Sequence, residues 1–551
     1  MNTSRNETIG LVLSIAKLLA FAVFAATYNL PLPVRAQNNV VGSWTNPVDI
    51  QVEGVHGAVL PNGKVLYLPH REDPFTGQTT SVVFDPNNPA GANYVTAPRN
   101  YFCGGQSMLA DGRLLFNGGD YDALNSSGYF DYLTETWTID ANTNRPRWYP
   151  STIQLGDGTV WTFGGQNSPA EVETNDPTIE FYNPMSSAWT MAGGQGIPGQ
   201  YVEAYNRLHL LPDGRVFQSG HIPDTYLYDP IARTWEFVDS TNHGLARGDG
   251  SSVRLQDGRI LIVGGHQEIG KEFTEPTATA EIIDLDQPNP MWQNVASMSR
   301  GRSFVNTVLL PDGNVFVVGG GEPQDVVPEL FNPNTNTWTN MAAHDIIRGY
   351  HSTALLLPDA RVITSGGAGA DGPGLFKESS EIEIWSPYYL FSTPRPVINN
   401  LVTAANYGQQ VVMSYSSSVP VSHVVIHRSG EQTHAFSYNQ VSERVDLDSN
   451  NSSSLTFTVP SNPNILPPCY YMIFLMSEDG VPSVAQWMQI GNDVAKTMLG
   501  DVNMDGVVNL LDVQPFVNLI ANGQFQTEAD INQDGLVNLL DVTPFVAILS
   551  S

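Results

Sequence analysis

The 551-residue chain has two cysteines, Cys103 and Cys469. So few exclude a disulfide framework and a cysteine-rich zinc site. Basic residues are scarce as well, with 25 Lys+Arg against 55 Asp+Glu and a net charge of −30. That balance excludes general binding to a phosphate backbone and docking on an anionic lipid surface. Only 15% of residues are charged while 41% are hydrophobic, so the chain is not largely disordered. After the first 36 residues no apolar run is long enough to span a bilayer. Turn formers are abundant instead: 49 Gly and 38 Pro imply many short strands. At about 150 residues per domain, the length allows roughly three to four domains.

Residues 1–36 read as a secretory signal peptide. Arg5 precedes an apolar run over 11–26 that is interrupted by Ser14 and Lys17. Val34-Arg35-Ala36 then offers a small-x-small cleavage site before Gln37. The alternative is an uncleaved anchor. The mature chain is expected to be exported or cell-surface associated, with no membrane span.

One unit recurs along residues 37–385: an apolar strand, a tight turn, a second apolar strand, then glycines. The turns are Asn62-Gly63, Asp111-Gly112, Asp157-Gly158, Asp213-Gly214, Asp257-Gly258, Asp312-Gly313 and Asp359-Ala360, spaced by 49, 46, 56, 44, 55 and 47 residues. Asp-Gly and Asn-Gly supply the positive φ of a two-residue hairpin. Paired glycines close the second strand at Gly118-Gly119, Gly164-Gly165, Gly264-Gly265, Gly319-Gly320 and Gly366-Gly367, with Ser219-Gly220 in the fourth unit. A third strand often follows with an aromatic, Asn/Asp-Pro and a late Trp, as in Tyr182-Asn183-Pro184 and Trp189. A period near 50 with these glycines resembles kelch repeats and implies a seven-bladed β-propeller. The seventh unit has Trp385-Ser386-Pro387 but lacks the late Trp. Gly42-Ser43-Trp44 is placed to supply that strand and close the ring.

Residues 386–493 change pattern. Alternating strands such as Gln410-Val411-Val412-Met413-Ser414-Tyr415 predict an immunoglobulin-like β-sandwich. Residues 498–551 hold a shorter duplication: Asp501, Asn503, Asp505, Gly506, Val507, Asn509 and Asp512 return as Asp530, Asn532, Asp534, Gly535, Leu536, Asn538 and Asp541. Oxygen ligands at loop positions 1, 3, 5, 9 and 12, a backbone carbonyl at 7 and Gly at 6 make a calcium loop. An apolar stretch able to form a helix follows each loop. Two metal-free Asx-rich turns are the plainer alternative. The segment resembles a type I dockerin, which implies a cohesin-like partner on a scaffold or cell surface. It departs from that family at loop positions 10 and 11, where Leu510-Leu511 and Leu539-Leu540 replace the usual Ser/Thr, and in having Pro515 and Pro544 where the helices begin.

Three clusters occupy one place in their repeats, just before the innermost strand: Phe102-Cys103, Arg147-Trp148-Tyr149 and Arg348-Gly349-Tyr350-His351. Equivalent positions line one mouth of a propeller, so the clusters should converge. Thr433-His434, in the second domain, is placed on a hairpin that reaches the channel. Taken singly, each residue has a plainer reading. The tyrosines are ordinary strand aromatics, and Cys103 is a buried thiol or the disulfide partner of Cys469. His423 and His427 compete with His434, while His221 and His266 read as polar rim residues.

Together, these clusters and the run Leu466-Pro467-Pro468 through Gly480-Val481-Pro482 resemble the copper radical oxidases of the galactose oxidase and glyoxal oxidase family over about residues 40–491. The resemblance implies that Tyr149, Tyr350, His351 and His434 bind copper and that Cys103 is joined to the Tyr149 ring by a thioether. It further implies that Tyr350 is the base, that a Tyr149 radical takes hydrogen from the substrate carbon, and that O2 leaves as H2O2. It makes Cys469 a buried free thiol. Galactose oxidase has a Trp just after the glycine pair of the Tyr149 blade, where this chain has Gln166-Asn167, and an N-terminal carbohydrate-binding domain not found here. Both departures favour small aldehydes, oxidised as hydrates, or primary alcohols. The alternative is a non-catalytic kelch adhesion or glycan-binding module.

Overall fold

The structure, a computed structural model, describes the chain apart from residues 1–37, 71–78, 168–176, 193–204, 267, 270–271, 274, 321–325, 371–375, 393, 435, 492–499, 501, 504–507, 523–525, 527–528, 532–535 and 550–551. The signal-peptide segment and the calcium-loop residues Asp501, Asp505, Val507, Asn532 and Asp534 therefore lie outside the described residues.

The fold is all-β with a small helical C-terminus. Residues 43–386 form seven antiparallel blades around a common hub. The second blade runs from inside to outside as Gly105–Met108, Leu114–Asn117, Ser127–Asp131 and Thr136–Ile139. Middle strands such as Val65–Leu68, Ile260–Val263 and Val315–Val318 are apolar and buried throughout, because each sheet packs between two neighbours. Outer strands such as Thr337–Asn340 are largely exposed and carry Thr and Asn. The turns hold positive φ at Gly63, Gly112, Gly158, Gly214, Gly258 and Gly313.

The seventh blade takes its outer strand from the start of the described chain. Ser43 pairs with Ser386 and Trp44 with Trp385. The Trp44 indole donates to Ala342 O at 2.7 Å, and Trp385 stacks on Phe316 with centroids 4.0 Å apart. Chain start and blade end are thus laced together, which closes the ring.

The second domain is an eight-stranded sheet folded on a core that includes Met413, Val424, Phe457, Tyr471 and Met488. Gln410–Ser416 alternates exposed and buried side chains, as a strand with one wet face requires. Cys469–Ser477 is buried almost throughout, because it faces both its own core and the propeller. From this domain a hairpin, Glu431–Thr433 and Phe436–Tyr438, enters the channel and pairs with the first blade's inner strand, His56 opposite Thr433.

The hairpin also meets a backbone need. Inner strands have one unpaired edge, and a buried unpaired N–H is costly. Side chains on or beside the hairpin accept from one such N–H in each of four blades: Glu431 from Met108, Asn439 from Gln154, Gln440 from Leu309 and Gln432 from Ala354.

Helices Val513–Asn522 and Val542–Leu549 pack Phe516 on Phe545 at 4.1 Å. Pro515 and Pro544 fall in the first helical turn, where a missing N–H leaves no bond unmade.

Candidate active site

In six blades the residue eight positions before the hairpin turn is left-handed without being glycine: Cys103, Tyr149, Tyr205, Asp249, Phe304 and His351, with φ between 49° and 67°. Such a conformation costs about 1–3 kcal/mol per residue and persists only where its surroundings impose it. Here the backbone links neighbouring blades: Tyr149 N donates to Cys103 O at 2.8 Å, Tyr205 N to Tyr149 O at 3.0 Å, and Phe304 N to Asp249 O at 2.6 Å.

Buried arginines brace these positions from behind. Arg147 pairs with Glu180 and donates to Gly164 O at 2.8 Å. Arg247–Glu281, Arg302–Glu329 and Arg348–Glu383 repeat the device, each arginine also reaching the first glycine of the pair ending its second strand. That glycine is required. A Cβ on Gly366, at φ 65°, would lie 2.2 Å from His351 O.

The side chains so aimed meet. The Tyr149 and Tyr350 phenol oxygens are 2.6 Å apart. The His434 ring centroid lies 4.9 Å from that of Tyr149, 5.5 Å from that of Tyr350 and 4.4 Å from that of His351. Cys103 Sγ is 3.5 Å from His434 Nε2, and Cys103 lies in a buried cluster against which Trp148 and Tyr149 pack. Cys103 and Cys469 are both buried free thiols, so the disulfide alternative is not realised. His434 is itself left-handed at φ 51°. His423 and His427 stay on the strand Val421–Arg428, where His427 contacts Phe474. His266 is buried with Nε2 3.5 Å from Asp249, whereas it was expected at the rim: the bridge between Gly248 and His266 draws it in beside the hub. His221 is partly buried and stacks on Phe436.

Further side chains, given no site role by the sequence, border this cluster. Tyr205 lies edge-on to Tyr149 at 4.7 Å and donates to Gly104 O, and the eight-residue offset alone would have found it. Glu378 accepts a hydrogen bond from His351 Nδ1 and another, at 2.9 Å, from His70 Nδ1. Trp148 lies against Tyr149 with centroids 4.1 Å apart at 67°, so an indole borders that ring although none follows Gly164-Gly165.

Burial sets the protonation states. It pushes the Tyr149 and Tyr350 phenols well above the usual tyrosine range and the Cys103 thiol above its own. It holds His434 far below the usual histidine value, reinforced by His351 and His56, and lowers His351 despite Glu378. Burial also pushes the Glu378 carboxyl up, but its hydrogen bonds from His351 and His70 prevail and bring it to about 2. The site thus holds neutral imidazoles, the form that binds metal, beside a fixed carboxylate.

This donor set fits copper. It offers two neutral imidazoles and two phenols, and His351 Nε2 is buried without a hydrogen-bond partner among the described residues. Burial opposes ionising both phenols, so a bound cation is what would favour their phenolates.

In the C-terminal module the described loop residues repeat one hydrogen-bond pattern. Asp512 accepts from Asn509 N at 2.8 Å, and Asp541 from Asn538 N at 2.9 Å. Asn509 caps Leu511 N as Asn538 caps Leu540 N. Asp512, Asp530 and Asp541 are buried, while Leu510, Leu511, Leu539 and Leu540 are 67–81% exposed.

Three family models match: Glyoxal oxidase N-terminus over residues 54–389, Galactose oxidase-like, Early set domain over 395–490, and Dockerin type I domain over 499–544. Galactose oxidase of Gibberella zeae is 29% identical over 533 residues, covering 87% of this chain and 73% of its own length. Aldehyde oxidase GLOX of Vitis pseudoreticulata is 28% identical over 447 residues, covering 71% and 82% respectively. Among solved structures, a fungal alcohol oxidase of the AA5 family in complex with copper superimposes with a TM-score of 0.73 at 28% identity, over 82% of this chain and 100% of that one.

Proposed function

The chain belongs to the glyoxal oxidase family and is a copper radical oxidase, and from that premise we propose that it oxidises small glyoxal-type aldehydes, as their hydrates, or primary alcohols, with O2 as acceptor. An aldehyde hydrate and O2 give the acid and H2O2; an alcohol and O2 give the aldehyde and H2O2. The non-catalytic adhesion reading gives way to this one.

Tyr149, Tyr350, His351 and His434 are the copper ligands in this reading, and a Cys103–Tyr149 thioether completes the radical cofactor. Copper, when bound, supplies the second one-electron acceptor that a two-electron oxidation needs. Tyr350 takes the proton of the substrate hydroxyl at its phenolic oxygen. Tyr149, as a phenoxyl radical, takes the hydrogen atom from the carbon bearing that hydroxyl. Sulfur on the ring donates density and makes the radical less costly. Trp148, Tyr205 and His434 surround the Tyr149 ring and shield a radical there from small reductants.

One observation carries this reading: Cys103, Tyr149, Tyr350, His351 and His434, from three blades and the second domain, meet with the two phenol oxygens 2.6 Å apart. The substrate class is supported by Gln166-Asn167, which follows Gly164-Gly165 where galactose oxidase has a tryptophan shortly after its glycine pair.

Export rests on the apolar run over 11–26. Among the described residues no helix is long and apolar enough to cross a membrane. Calcium is assigned to the two duplicated loops, Asp501 to Asp512 and Asp530 to Asp541, and the module to a cohesin-like or cell-surface partner.

Oxygen uptake by the copper-loaded protein on glyoxal, methylglyoxal, glycerol, benzyl alcohol and galactose tests the assignment. Uptake with matching H2O2 should be fastest on the small aldehydes. Galactose outrunning all the others would overturn the substrate class.

A further inference from the structure

We propose that Glu378 is a positioning residue of the copper site, fixing His351 so that Nε2 is the metal-binding nitrogen and raising the basicity of that imidazole relative to His434. The inference rests on the copper reading above.

Glu378 ends the second strand of a hairpin, Ala368–Ala370 and Phe376–Glu378, that stands apart from the four strands of the seventh blade. Blade architecture does not explain an acid there. Its side chain is 2% exposed, and an ionised carboxylate so buried needs compensation. The compensation is two imidazoles on one oxygen: His351 and His70 both donate through Nδ1 to Oε1.

Phe102 locks the arrangement from the other side. Its ring stacks on His70 at 4.1 Å and meets His351 edge-on at 5.3 Å and 90°. With Nδ1 committed as a donor, Nε2 of His351 is left as the lone-pair nitrogen, buried and without a hydrogen-bond partner among the described residues. A carboxylate behind a ligating histidine fixes tautomer and ring orientation and strengthens the donor.

His434 differs. Its Nδ1 faces the Thr433 hydroxyl at 2.5 Å, a neutral partner that also lies 3.3 Å from His56 Nε2. The two imidazoles are therefore unequal, and the stronger donor is the one behind which Glu378 sits.

The rival occupant of the cluster is a metal of its own. Ligand atoms of His70, His351 and Glu378 all lie within 4.8 Å of one another. Copper titration of metal-free full-length protein in excess calcium, followed by Cu(II) electron paramagnetic resonance, separates the two. Wild type should bind one copper per chain. Glu378→Gln should weaken it about 10- to 100-fold and alter the copper hyperfine coupling. Glu378→Asp, which keeps the charge but withdraws it, should fall between. Thermal unfolding of each variant shows whether the fold is intact, and the charge-preserving variant carries the test if the glutamine variant does not fold. Unchanged affinity and spectrum in both variants would overturn the proposal. So would a wild type binding two coppers and a Glu378→Gln variant binding one. A wild type that binds no copper would instead sink the copper reading itself.

Discussion

Eight residues before their turns, six blades carry Cys103, Tyr149, Tyr205, Asp249, Phe304 and His351, all in one left-handed backbone conformation. In the C-terminal module the two loops close on Asp512 and Asp541, with the same asparagine cap before each. Both regions are built by duplication, yet the propeller repeats the backbone and varies the side chain, while the module repeats both. Varied side chains turned toward one hub make a single asymmetric centre. Identical donor side chains in separate loops suit two equivalent sites, as the calcium proposal requires. It follows that a hub substitution has no twin to compensate for it, whereas a loop substitution leaves half the function standing.

The sharpest way to break this contrast is Cys103→Ala. Turnover should fall by on the order of a thousandfold or more, since residues acting as one unit fail together. Oxygen-electrode kinetics check it, and unchanged activity would remove the radical mechanism.

Glu180→Ala comes next. It removes the carboxylate that neutralises the buried Arg147 behind Tyr149 and should cost about 3–5 kcal/mol by denaturant titration. A cost below about 1 kcal/mol would mean that the arginine braces do not hold the hub.

The effect of acid has a definite sign. Burial lowers His209, His344 and His427 from 6.5 to about 3 in the folded chain. The unfolded chain therefore binds more protons between those values, so stability is present above pH 6.5 and is lost as pH falls toward 3. Each group contributes about 1.4 kcal/mol per pH unit in that window. His427→Met should flatten the slope by that amount, read from unfolding midpoints between pH 7 and pH 4; an unchanged slope would contradict its neutral burial.

The smallest effect on turnover belongs to the module. Asp512→Ala or Asp541→Ala should each remove one of two bound calcium ions, measured by calorimetry, and leave oxidase activity unchanged. Unequal losses would show that the loops are not equivalent.

Much of this was legible in the chain because the signals are local. Asp-Gly turns and glycine pairs mark the blades, since positive φ demands them. Trp44 announced itself by the late Trp missing from the seventh unit. His434 was accessible only through family likeness, as Thr433-His434 has no pattern of its own. Glu378 and His70 were invisible for a physical reason: they meet His351 through space, from a side hairpin and from the loop after Val65–Leu68, and no spacing records that. The Arg–Glu braces were missed because charge in a blade reads as solvent-facing until its partner is known.

The radical chemistry proposed for the hub requires Cys103 and Tyr149 to act as one cofactor. Mass spectrometry of digested, copper-loaded protein exposed to air tests it most directly. The expected product is a Cys103 peptide joined to the Tyr149 peptide, two hydrogens lighter than the pair and resistant to reducing agents. Separate peptides with a free Cys103 thiol, in protein that still turns over, would contradict it.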